Sequence, residues 1–66
     1  MTTEFDAACY AQITDHLIVL HLTGNHDDAI EYASEMALLF PLETKIAIEA
    51  AAEETRYILQ FNGAQQ

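Results

Sequence analysis

Apolar residues recur at helical spacing between Gly24 and Pro41. Ala29, Ile30, Ala33, Met36, Ala37 and Phe40 share one face of a helix. The ends of this stretch agree with its period. Asn25 can cap the start, because its side-chain oxygen accepts a hydrogen bond from a free backbone N–H. Asp27 and Asp28 fall in the first turn, where the positive end of the helix dipole favours them. Pro41 ends the helix, since it has no N–H to donate and disfavours helical geometry in the residue before it. The pattern predicts a helix over 26–40.

The segments on either side carry their own periods. Phe5, Cys9, Ile13, Leu17 and Leu20 follow helical spacing, with Thr3 as a cap and Glu4 and Asp6 in the first turn. Ile18, Val19 and Leu22 make the end of this helix apolar on nearly all sides, which implies burial on more than one face. In the third segment the polar residues make the case. Lys45, Glu49, Glu53, Arg56 and Gln60 fall at steps of four, four, three and four, a single solvent stripe. Ile48, Ala51, Ala52, Thr55, Ile58 and Leu59 form its packing stripe, and Asn62 with Gly63 supplies a stop. The predicted helices are 3–22, 26–40 and 42–61.

The fold class that follows is all-α: a three-helix antiparallel bundle, or a helical hairpin plus a third helix, in one domain over 1–66 with a frayed end at 64–66. The rival reading uses strands. Phe5 to Ile13 also alternate with period two, and the runs LIVLHL and RYILQF are β-prone. That would give ββαββ, a sheet packed on one helix. Its turns would fall at Asp15–His16 and near Ala52 to Glu54, and neither has the glycine or asparagine that tight hairpins prefer.

Composition changes the picture in two ways. A chain of 66 residues buries only about 60% of the surface its unfolded form exposes. Hydrophobic residues nevertheless make up 52% of it, so many must be exposed or sit in an interface. One cysteine, Cys9, cannot form an internal disulfide. Self-association is the simplest remedy, with Leu17, Ile18, Val19, Leu20 and Leu22 as the expected oligomer interface and a homodimer the expected state. The formal net charge is −9, with 11 acids against Lys45 and Arg56. Direct nucleic-acid binding is disfavoured, because it depends on neutralising phosphates with Lys and Arg. No apolar run is long enough to span a bilayer, and the N-terminus has no basic signal-like region. No membrane contact is expected, and the expected location is cytoplasmic, in a bacterium or in the host cell of a virus.

The segment HLTGNHDDAIEYASEMALLFP resembles the middle and end of a tetratricopeptide repeat. Gly24 at the helix junction, Ala29 in the second helix and the closing Pro41 match that family in kind and spacing, and the aromatic Tyr32 is typical of it. Leu17 stands where the family usually has a glycine, and Met36 where it usually has an alanine. The likeness covers one repeat of about 34 residues, and arrays of this type usually hold three or more. The resemblance implies a single repeat-like hairpin followed by a third helix, and protein binding in place of catalysis.

Candidate chemistry is sparse. Cys9, His16, His21 and His26, with Asp15, Asp27 and Asp28, are the metal-like set, and His21 and His26 flank the turn where they can face each other. Tight pairs such as CxxC or HxxxH are absent, so neither a metal nor a cofactor is expected. Cys9 and His16 share a helix face but sit about 10 Å apart along it, too far for direct proton transfer. No catalytic set emerges, and an enzyme is not expected. Asp27, Asp28, Glu31 and Glu35 form a row of carboxylates on the second helix, since steps of three and four share a face. The expected function is that of a small acidic regulator or inhibitor that binds a protein partner with a basic surface. The alternative is an acidic decoy of phage or mobile-element type that mimics nucleic acid and occupies a basic site on a nucleic-acid-binding protein.

Overall fold

The computed structural model describes the backbone of residues 4–64 and the side chains of 4–61. Among the described residues there are three helices and no strand: α1, Ala7–Leu22; α2, His26–Leu39; and α3, Pro41–Ala64. The chain is therefore all-α, and the β-prone runs LIVLHL and RYILQF lie within α1 and α3. In α1 the packing of Leu17, Ile18 and Leu20 against neighbouring helices outweighs that strand preference, whereas in α3 Tyr57, Leu59 and Phe61 are exposed and the run continues a helix begun by the strong formers before it.

Each helix start has a local cause. Asp6 is the N-cap of α1, and its carboxylate accepts from the Cys9 N–H at 3.0 Å. The expected cap Thr3 lies outside the described residues, and Glu4 and Asp6 precede the helix. At the other end of α1, the Asn25 N–H reaches the Leu20 carbonyl at 2.8 Å and the Gly24 N–H reaches the His21 carbonyl at 3.2 Å. This is the Schellman arrangement, which needs a left-handed residue between them. Gly24, with φ +81°, supplies it. A cap from Asn25 is not made: its side chain caps nothing and instead donates to the Thr23 hydroxyl at 2.8 Å, tying the turn together.

Pro41 is the first residue of α3 as well as the stop for α2. Its missing N–H would be unpaired in a first turn anyway, and its fixed φ suits a helix start. The preceding Phe40 is held extended, at φ −134°. α3 runs on through Asn62 and Gly63 to Ala64, past the expected stop and into the segment expected to fray. Asn and Gly cost helix stability but do not forbid the conformation. Gln65 and Gln66 lie outside the described residues.

The helices run up, down and up. His16 faces Tyr32 and His21 faces His26, which sets α1 and α2 antiparallel. The start of α1 meets the start of α3, where the Asp6 N–H donates to the Glu43 carboxylate at 2.8 Å, so these two helices run side by side in the same direction. The core is Ile13 and Leu17 from α1, Ala29 from α2, and Ala47 and Ala51 from α3. Large residues from one helix meet alanines from the other two, which lets the axes approach closely. α3 is about 36 Å long against about 24 Å for α1 and about 21 Å for α2, so it outruns the hairpin and the molecule is elongated, 52 × 21 × 14 Å.

Candidate interaction surfaces

Three surface features carry chemistry. The first is the outer side of α2. Asp27, Asp28, Glu31 and Glu35 are all exposed, in the row that helical spacing predicts. Leu38, 85% exposed, continues that outward side three residues after Glu35, and Leu39 lies beside it, also exposed. The row is thus acidic at its N-terminal end and apolar at its C-terminal end.

The second feature is a groove of about 320 Å³ between α2 and α3, with the end of α1 as its floor. Leu17, Ala29 and Ala33 lie toward its base, and Ile30, Ala37 and Ile48 form its walls. Ile30 is 64% and Ile48 45% exposed, so the walls are open to solvent. No carboxylate lines this groove, in a chain that carries 11 acids.

The third is a cleft of about 600 Å³ between α1 and α2, lined by Asp6, Cys9, Gln12, His16, Tyr32 and Met36 among others. The His16 and Tyr32 rings lie 4.2 Å apart at 33°. Burial raises the Cys9 thiol above its ordinary pKa, and the negative charges of Asp6 and Glu43 raise it further. A thiolate is disfavoured by all three causes, which is the opposite of what a nucleophilic cysteine needs. Tyr32 is also raised, first by burial and then by Cys9.

The histidines flanking the turn do face each other, with Nδ1 atoms 2.9 Å apart. Among the described residues, however, no group of three or more His, Cys, Asp or Glu side chains is placed to hold a metal ion. No helix is long and apolar enough to cross a membrane, among the described residues.

The residues expected at an oligomer interface are divided by the fold. Leu17 is buried in the protomer's own core, in one cluster with Ile13, Ala29, Ala47 and Ala51. Ile18 and Leu20 are half-buried, and Val19 and Leu22 are exposed. The packing stripe read on α3 is divided too. Ala51 and Thr55 point inward, while Ile48, Ala52 and Leu59 are exposed. Thr44, Ala47, Ala51 and Thr55 form the inner line, one step round the helix from the stripe that hydropathy marks. The carboxylate of Glu43, buried at the head of α3, had no counterpart in the sequence pattern; its only signal is an acid in a helix first turn.

Comparison with protein-family models, curated proteins and solved structures finds no match for this chain.

Proposed function

We propose that the protein acts by stoichiometric binding to another protein, as a small acidic regulator or inhibitor, and that it does so as a homo-oligomer. One observation carries this reading: the exposed row of Asp27, Asp28, Glu31 and Glu35 ends in the exposed Leu38 and Leu39. A charged flank beside an apolar contact is how protein interfaces are commonly built. Such a row meets a Lys/Arg-rich patch, and rim charges of this kind mainly set the association rate and its salt dependence.

The tetratricopeptide-like reading supports the same class of function. Ala47 and Ala51 of α3 follow Ile13 and Leu17 of α1 at one interval of 34 residues, and all four lie in the core. That interval is the length of one such repeat. A hairpin followed by the first helix of a second unit would present exposed helix faces for partners.

The test has two stages. Capture from the source organism identifies the partner. Association rates are then compared for the native chain and for the variant Asp27→Asn, Asp28→Asn, Glu31→Gln, Glu35→Gln. Steering predicts slower association by the variant, with the difference largest at low ionic strength, where screening is weakest. Equal rates across the whole salt series would reduce the row to a solvated helix face. The nucleic-acid-mimic alternative rests on the same carboxylates. It requires the partner to be a nucleic-acid-binding protein, and requires duplex DNA to compete with this chain for it.

A further inference from the structure

We propose that two copies pair through an antiparallel, two-fold seam between their third helices, in which Leu59 of each copy enters the groove beside Ile48 of the other. The proposal rests on the homo-oligomer part of the reading above and gives that oligomer a surface and a register.

Three observations converge on α3. Ile48, Ala52 and Leu59 are exposed and fall at steps of four and seven, which puts them on one line along a helix, beside the buried Thr55 of the inner line. The small Ala52 sits midway along that line, where two helices that cross or pair need room to approach.

The second observation is length. α3 starts level with α1, since Asp6 bonds to Glu43, but it has 24 residues to the 16 of α1 and the 14 of α2. By the same 37-residue offset, α1 ends level with Leu59, and the fourteen-residue α2 stops short of it, so α3 has no helix of its own chain beside it past this point. Leu59, at that edge, is 55% exposed. Along the first half of α3 the situation is reversed: α2 runs beside it and forms with it the apolar groove at Ile30, Ala37 and Ile48. An antiparallel two-fold axis lays the uncovered end of each copy against the grooved end of the other. Each copy then supplies the wall that the other lacks, and the arrangement closes on itself at two chains.

The third observation is charge. Two chains of formal charge −9 repel, so they approach best where each is least negative. Lys45 and Arg56 are the only two basic residues of the chain other than histidine. Both are exposed and both border this line, Lys45 three residues before Ile48 and Arg56 three residues before Leu59. The groove itself carries no carboxylate. With Ile48 opposite Leu59, Arg56 of one copy comes within side-chain reach of Glu49 of the other, twice over by symmetry.

The experiment begins with sedimentation of the native chain at micromolar concentration, where a dimer is expected. Register is then read by cross-linking, in a Cys9→Ala background. Ile48→Cys and Leu59→Cys chains are made separately, mixed and oxidised. The mixture is expected to form a 48–59 disulfide. Neither variant does so alone, because two copies of position 48 lie eleven residues apart along the seam, about 16 Å, beyond disulfide reach. Charge reversal supplies a readout independent of engineered cysteines. Arg56→Glu and Glu49→Arg should each weaken dimerisation about ten-fold, since each acts at two symmetric sites, and the double variant should restore it. A dimer that shows no mixed cross-link and no rescue, and that dissociates on Val19→Asp, lies on α1 instead. That result would overturn the seam while leaving the homo-oligomer reading intact. A native chain that stays monomeric at every concentration tested would overturn both.

Discussion

The backbone N–H of Asp6 donates to the carboxylate of Glu43 across 2.8 Å, joining positions 37 residues apart. Asp6 is at the same time the N-cap of α1. The contact therefore fixes the start of the first helix against the start of the third, and with it the parallel course of the two helices that share the core. Glu43 is buried, so its charge depends on this donor and on the first turn of α3 for stabilisation. Glu43→Ala should lower stability by about 2–3 kcal/mol, the range for a hydrogen bond to a charged group together with the donor left unpaired. Glu43→Gln, which keeps an acceptor oxygen, should cost less. Urea denaturation followed by far-UV circular dichroism measures both, and equal costs would show that a neutral acceptor contributes nothing and that the carboxylate charge carries the contact.

The hydroxyls of Thr44 and Thr55 are buried without a hydrogen-bond partner among the described residues. Thr14, also buried, donates to the Tyr10 carbonyl at 2.8 Å. One substitution should therefore act with opposite signs at two sites. Thr44→Val removes an unsatisfied polar atom while keeping the shape, and should stabilise by about 1 kcal/mol. Thr14→Val loses a made bond and should destabilise by about 0.5–1 kcal/mol. Denaturant midpoints of the two variants, with unchanged m-values, check the contrast.

Leu17 and Val19 are neighbours in an apolar run but occupy different environments, Leu17 in the core and Val19 58% exposed. Leu17→Ala should cost about 2–5 kcal/mol through lost burial and the cavity left behind. Val19→Ala should stay within about 0.5–1 kcal/mol. Thermal melts of the two variants at one protein concentration separate them. Comparable losses would mean that Val19 is covered in solution.

Alkaline pH should destabilise the fold. The Cys9 thiol is held above its ordinary value of 9.0 by burial, then by Asp6 and Glu43. The Tyr32 phenol is held above 10.0 by burial, then by Cys9. In the window above each ordinary value the folded chain binds more protons than the unfolded chain, so stability falls as pH rises. The contribution is fully present below pH 9.0 and is lost as pH climbs through the raised value. Cys9→Ala should remove the earlier part of the decline and leave a smaller part due to Tyr32, which then keeps only the effect of burial. A urea midpoint that is flat across this range in the native chain would contradict the partial burial of both groups.

Much of this protein is local, and the sequence by itself determined it. Gly24 and Pro41 mark the two junctions because one supplies a left-handed backbone and the other lacks a donor, and neither effect needs a partner. The spacing of Ile13 and Leu17, and of the α2 carboxylates, places residues on a common face through helix geometry alone. Tertiary structure decided the rest. Asn25 had every local qualification as a cap, yet the Schellman turn directs its amide to Thr23. On α3, periodicity grouped Ala51 and Thr55 with Ile48, Ala52 and Leu59, but only the first two are buried. A repeat in hydrophobicity states which residues lie together on a helix. How much of that stripe is covered depends on the number, length and direction of the helices beside it. Here a sixteen-residue and a fourteen-residue helix lie against one of twenty-four, and the remainder of its stripe stays exposed.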